Sequence, residues 1–145
     1  MRTMFIAALI AASLPLVAQA QPAISVSSAV FVENATAGAT RIVEKASYLS
    51  RGQRVILMMN WQATADGRPF TVMTPVPARL AFERSANGAE EVSVDGGRNW
   101  GHLGALRIQD QDGPRLAAPE DVTHLRWRLS GATRTGRLTW SALVR

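Results

Sequence analysis

The chain has 145 residues, of which 16 are Lys or Arg and 11 are Asp or Glu, for a formal net charge of +5. It contains no cysteine, which excludes disulfide crosslinks, thiolate catalysis and cysteine-ligated metal sites. The basic residues are dispersed, which argues against a nucleic-acid interface. The charge is consistent with solubility or with attraction to an anionic surface polymer.

The first twenty residues predict a secretory signal peptide. Arg2 precedes a largely apolar run over residues 4–17, and residues 18–20 form a small-x-small cleavage site. The run is shorter than the ~20 apolar residues that a membrane-spanning helix needs. We therefore expect residues 1–20 to be removed and residues 21–145 to form one domain. That domain would be exported to the periplasm or the extracellular space and have no membrane span.

Apolar and polar residues alternate with period two along most of the remaining chain, as in strands that are buried on one face. The segment 54–64 is apolar on both faces near its start and is expected to be central. The predicted strands comprise residues 24–32, 40–46, 54–64, 70–74, 79–83, 91–94, 103–108, 123–130 and 137–144, with a polar loop at 109–119. The pattern predicts an all-β fold, an Ig-like antiparallel β-sandwich of about seven to nine strands.

Turn residues and tryptophans refine this prediction. Asp66-Gly67 is a hairpin signal, and Pro75 is expected to end the strand before it because proline cannot donate a ladder hydrogen bond. Trp61, Trp127 and Trp140 fall in apolar rows, which favours core packing. An exposed aromatic platform for sugar stacking is the alternative.

The segment from Ser93 to Trp100 reads Ser-Val-Asp-Gly-Gly-Arg-Asn-Trp, with the spacing S-x-D-x-G-x-x-W. It resembles the Asp-box of sialidases and related β-propellers, where the motif is a turn remote from the reaction centre. Gly97 can supply positive φ at low cost, the Asp95 carboxylate can accept bonds from turn amides, and Trp100 can cover them. We expect Ser93, Asp95, Gly97 and Trp100 to form a structural turn.

No catalytic residue, cofactor or metal site is predicted. The chain is too short for a propeller of several blades, and its only tyrosine, Tyr48, lacks a recognisable nucleophile setting. A glycoside hydrolase related to the Asp-box proteins is therefore a weak alternative. His102 and His124 are too few for a zinc site. Residues 110–113 hint at calcium but lack the acidic residue at position twelve of a binding loop.

The candidate ligand-binding residues lie on the strand predicted at 123–130. His124, Arg126 and Arg128 alternate there with apolar residues and so share one polar face. An arginine binds a carboxylate or phosphate through two parallel hydrogen bonds. The pattern indicates a surface that could bind an anionic partner.

A wider resemblance covers residues 24–145. It rests on Gly-Gln-Arg-Val-Ile-Leu at 52–57, Asn-Trp-Gln-Ala at 60–63 and Phe-Thr-Val-Met-Thr-Pro-Val-Pro at 70–77. These stretches are similar to the conserved repeat domain of bacterial surface proteins, a domain of unknown function with an Ig-like fold. The resemblance implies an exported single-domain member of that family.

The expected function follows from these patterns. We expect an exported, non-catalytic domain of the cell envelope that acts by contact with an envelope protein or in a structural role. The alternative is a small binding module for an anionic glycan or surface polymer. Self-association through edge strands is also open.

Overall fold

The structure, a computed structural model, describes residues 24–35, 41–46, 48–63 and 67–145, and of these the side chains at 34, 35 and 41–44 are left undescribed. The predicted signal peptide lies outside this range, as does Asp66 of the predicted hairpin. No helix of the described part is long and apolar enough to cross a membrane. The strands are β1 (Ile24–Ala35), β2 (Arg41–Lys45), β3 (Arg54–Ala63), β4 (Phe70–Pro75), β5 (Leu80–Ser85), β6 (Glu91–Ser93), β7 (Arg107–Asp110), β8 (Gly113–Leu116), β9 (His124–Leu129) and β10 (Thr135–Val144).

The strands form three antiparallel sheets, so the predicted all-β class is confirmed. One sheet has five strands in the order β2-β1-β3-β10-β5, a second has the order β4-β9-β6, and β7 and β8 form a separate hairpin. β3 pairs with β1 on one side and with β10 on the other, so it is central in its sheet as predicted. The Ig type stays a prediction.

One hydrophobic core joins the two larger sheets. Trp61, Trp127 and Trp140 are buried in it, which confirms their predicted packing role. Gly136 lies beside Trp61 in the β3–β10 register, and a Cβ atom added there would overlap Cζ2 of the indole. The indole therefore occupies the space that a side chain at position 136 would need.

The segment 103–119 differs from its prediction. Residues 103–106 are not a strand, and most of the predicted polar loop instead forms the β7–β8 hairpin. The Arg115 guanidinium holds this hairpin by pairing with Asp110 at 2.8 Å and with Asp121 at 2.7 Å. Asp121 ends the 3-10 turn Pro119–Asp121. With this hairpin the described strands number ten, against the predicted seven to nine. The hairpin was not predicted because its segment lacks apolar alternation and is stabilised by ion pairs instead.

The strand β4 ends at Pro75, one residue beyond the predicted strand 70–74. Pro75 is the register partner of His124 at the last position of the β4–β9 ladder. β4 lies at the edge of its sheet, where a proline is tolerated because one side of the strand has no ladder partner.

Candidate functional site: the Asp-box loop and the arginine-rich face

The Asp-box loop, residues 93–100, is closed by backbone hydrogen bonds between its two flanking residues. The Val92 N–H donates to the Gly101 carbonyl at 2.8 Å, and the Gly101 N–H donates to the Val92 carbonyl at 3.1 Å. Gly96 and Gly97 have φ of 79° and 88°, a conformation that glycine adopts at little cost. The loop therefore leaves the edge of the three-stranded sheet and returns to it within ten residues.

The Asp95 carboxylate accepts four hydrogen bonds from other residues of the loop. Its Oδ1 atom accepts from the backbone N–H of Arg98 at 3.0 Å, the backbone N–H of Asn99 at 2.9 Å and the Ser93 hydroxyl at 2.8 Å. Its Oδ2 atom accepts from the side-chain amide of Asn99 at 2.6 Å. These bonds, with those from Asn99 the strongest, hold the pKa of Asp95 well below its ordinary value. Asp95 is thus kept ionised to orient the turn.

Ser93 and Trp100 complete the loop from opposite ends. The fully buried Ser93 hydroxyl oxygen accepts from the Gly97 N–H at 2.8 Å, and the Trp100 indole N–H donates to the Gly97 carbonyl at 2.9 Å. Thr123 anchors the loop to the start of β9, because its hydroxyl accepts from the Gly96 N–H at 3.0 Å and donates to the Ser93 carbonyl at 3.1 Å. No local pattern in the sequence indicated this role of Thr123.

The polar face predicted on β9 is organised by one carboxylate. Glu91 on β6 is the register partner of Arg126 and accepts from its Nε at 2.8 Å and its Nη2 at 3.2 Å. It also accepts from Nε of Arg128 at 2.7 Å. These bonds, first from Arg126 and then from Arg128, lower the pKa of Glu91 to about 2. Two guanidinium charges and one carboxylate leave a residual charge of +1.

Trp100 brings the loop and the β9 residues into one cluster. The Arg126 Cζ atom lies 4.4 Å from a ring centroid of Trp100, within cation–π distance. The His124 ring meets the same indole edge-on, with centroids 6.4 Å apart. The structure therefore brings together the two sets of residues that the sequence identified separately.

We call this surface the arginine-rich face and define it by Met73, Glu91, Trp100, His124, Arg126 and Arg128. Met73 is the β4 register partner of Arg126 and is 60% exposed. The Arg128 side chain is 68% exposed, against 20% for Arg126. Arg128 and Met73 are thus the side chains of this face most available to a partner. Sequence reasoning missed Glu91 and Met73, because only the strand register places them beside the arginines.

Neither Asp95 nor Glu91 has the raised pKa of a proton donor in glycoside hydrolysis. That reaction needs one carboxylic acid whose pKa is raised, so that it can protonate the leaving group. The pKa values of Asp95 and Glu91 are both lowered by their donors. In the described part of the chain, no group of three or more His, Asp or Glu side chains is placed to hold a metal ion.

Comparison with known proteins adds no relative. No protein-family model, no curated protein and no solved structure matches the chain. The resemblance to the repeat domain of bacterial surface proteins stays a prediction from the sequence.

Proposed function

We propose that the chain is an exported, non-catalytic domain of the bacterial cell envelope that works by contact, with the arginine-rich face as its contact surface. One observation carries this proposal: Arg126 is held by Glu91 on one side and by Trp100 on the other, directly beside the exposed Arg128. A guanidinium that is already oriented loses little conformational freedom when a partner binds.

The free groups of the face favour an acidic partner protein. Arg128 binds Glu91 through Nε, which leaves its two terminal Nη groups for a carboxylate of the partner. Met73 offers an exposed apolar side chain on the same face. An apolar contact beside a charged one is typical of protein interfaces, where polar groups surround a less polar centre. An anionic surface polymer is the second candidate, favoured by the residual positive charge.

Photocrosslinking in intact cells tests the proposal. A photoreactive amino acid at residue 73 should give one discrete adduct, and Arg128→Glu should abolish it because the partner's carboxylate would then be repelled. Arg107→Glu is the matched control, since Arg107 is also an exposed strand arginine but lies on β7. The adduct should persist in this control.

The outcomes separate the candidates. A protease-sensitive adduct supports the protein partner, whereas a protease-resistant adduct whose formation is suppressed when high salt is present during irradiation supports the polymer. An adduct that survives Arg128→Glu, in a variant whose circular dichroism is unchanged, would refute the assignment of the contact surface.

A further inference from the structure

A cavity of about 540 Å³ lies on the five-stranded sheet, away from the arginine-rich face. Three consecutive residues of each of three neighbouring strands line it: Ser25, Val26 and Ser27 of β1; Asn60, Trp61 and Gln62 of β3; and Thr135, Gly136 and Arg137 of β10. The strand register aligns these residues in three rows across the sheet. The cavity is broadly open to solvent, and its volume falls within the range of about 300–1,000 Å³ that small-molecule sites occupy.

Two of the three rows are polar and exposed. Side chains alternate between the faces of a strand, so the rows Ser25–Gln62–Thr135 and Ser27–Asn60–Arg137 share the face opposite to the buried Trp61. Five of these six residues carry a hydroxyl or an amide, groups that can both donate and accept hydrogen bonds. The surface therefore matches a ligand that presents many hydroxyl groups.

The positive charge of the cavity lining favours a hydroxyl-rich ligand that is also anionic. Arg137 is the only charged residue among the nine described residues that line the cavity. Its Nε donates to Asn60 Oδ1 at 3.0 Å, which orients the guanidinium and leaves its terminal nitrogens for a ligand. A guanidinium that faces no lining carboxylate favours a ligand with one negative charge and disfavours a cation.

We propose that this cavity binds a short oligosaccharide that carries one carboxylate. The hydroxyl and amide groups of the two polar rows bind the sugar hydroxyls, and Arg137 binds the carboxylate. This site is independent of the proposed contact surface, because its residues belong to the other large sheet. The failure of one proposal would leave the other standing.

A carbohydrate microarray followed by titration calorimetry tests the site. The probes are trisaccharides to hexasaccharides that end in glucuronic acid, and neutral maltotriose to maltohexaose. The acidic probes should bind more tightly than the neutral ones. Arg137→Ala should weaken the acidic probes about tenfold, because a charge-assisted hydrogen bond is lost, and should leave the neutral probes nearly unchanged. Gln62→Ala should weaken both sets.

The control variant is Arg107→Ala, which changes an exposed arginine on the β7–β8 hairpin, and it should bind the acidic probes as the unchanged protein does. Arg128→Ala tests whether the acidic probes bind on the arginine-rich face instead. Equal binding of acidic and neutral probes, or no binding of either, would overturn the proposal. Loss of binding in Arg128→Ala but not in Arg137→Ala would also overturn it, because the carboxylate would then bind on the arginine-rich face.

Discussion

The Asp-box loop and the β7–β8 hairpin are two short surface segments that are held by different forces. In the loop, the Asp95 carboxylate binds uncharged donors that lie within four residues of it. In the hairpin, the Arg115 guanidinium binds two carboxylates, Asp110 and Asp121. One segment is stabilised by hydrogen bonds within a turn and the other by a charged cluster.

The surroundings of the bonds decide which segment matters more for stability. Ser93 of the loop is fully buried, so water cannot replace the hydrogen bonds of its hydroxyl if they are lost. The Arg115 and Asp110 side chains are 41% and 44% exposed, so water and salt weaken their attraction. We infer that the loop contributes more to the folding free energy than the hairpin does.

The largest expected effect is that of Ser93→Ala. This change leaves the Gly97 N–H without its acceptor and removes a donor to Asp95. The free energy of unfolding, measured by urea denaturation, should fall by about 1–3 kcal/mol. Ser28→Ala is the matched control, because Ser28 is exposed on β1, and it should be nearly neutral. Equal effects of the two changes would show that the Ser93 hydrogen bonds do not stabilise the fold as inferred.

A smaller effect is expected for Arg115→Ala. The loss of the guanidinium frees the hairpin from the 3-10 turn, while the Asp121 carboxylate keeps the backbone N–H of Ala118 as a donor. Amide hydrogen exchange in β7 and β8 should accelerate while the urea midpoint of the whole chain changes less than in Ser93→Ala. Arg115→Lys should restore part of the protection, because lysine keeps the charge but lacks the planar fork. A larger loss of global stability than in Ser93→Ala would contradict the comparison.

How much of each segment could be predicted from the sequence depends on how far apart in the chain its contacting residues lie. The Asp-box loop was predicted correctly because its donors and acceptors lie two to four residues apart, in a recognisable spacing. The hairpin was missed because Asp110 and Asp121 become partners of Arg115 only after the chain has turned back. A segment with little apolar alternation carries no periodic signal for such a turn.

In the two larger sheets, too, local features were predicted and long-range pairings were not. β3 was predicted as central because its apolar residues occupy both faces, which is a local property. The pairing of Glu91 with Arg126 spans 35 positions and depends on the register of β6 against β9. Side-chain alternation assigned Arg126 and Arg128 to one face, but no local pattern indicated which carboxylate would lie opposite them.

The smallest expected effect is the response of the acidic side chains to pH and salt. The pKa of Asp95 is lowered first by bonds from Asn99, whereas the pKa values of Asp110 and Asp121 are lowered first by Arg115. Each folded-state pKa lies below the ordinary 3.8. The stability that these groups contribute is therefore complete above that pH and is lost as the pH falls through the folded-state pKa.

Carbon-13 titration of the carboxyl groups would measure this difference. High salt should raise the pKa of Asp110 and Asp121 toward 3.8, because it screens their attraction to Arg115. The pKa of Asp95 should change less, since its donors carry no charge. Equal salt shifts for all three groups would mean that charge, and not hydrogen bonding, orients the Asp-box loop.

The uneven burial of the four tryptophans gives the protein an intrinsic optical reporter. The indoles of Trp61, Trp127 and Trp140 are buried, while Trp100 is half-buried under the Arg126 guanidinium. A small soluble quencher should therefore reach Trp100 first, and ligation at Arg126 or Arg128 should alter that accessible fraction of the emission. Occupancy of one chosen surface could thus be followed by fluorescence on the unlabelled protein.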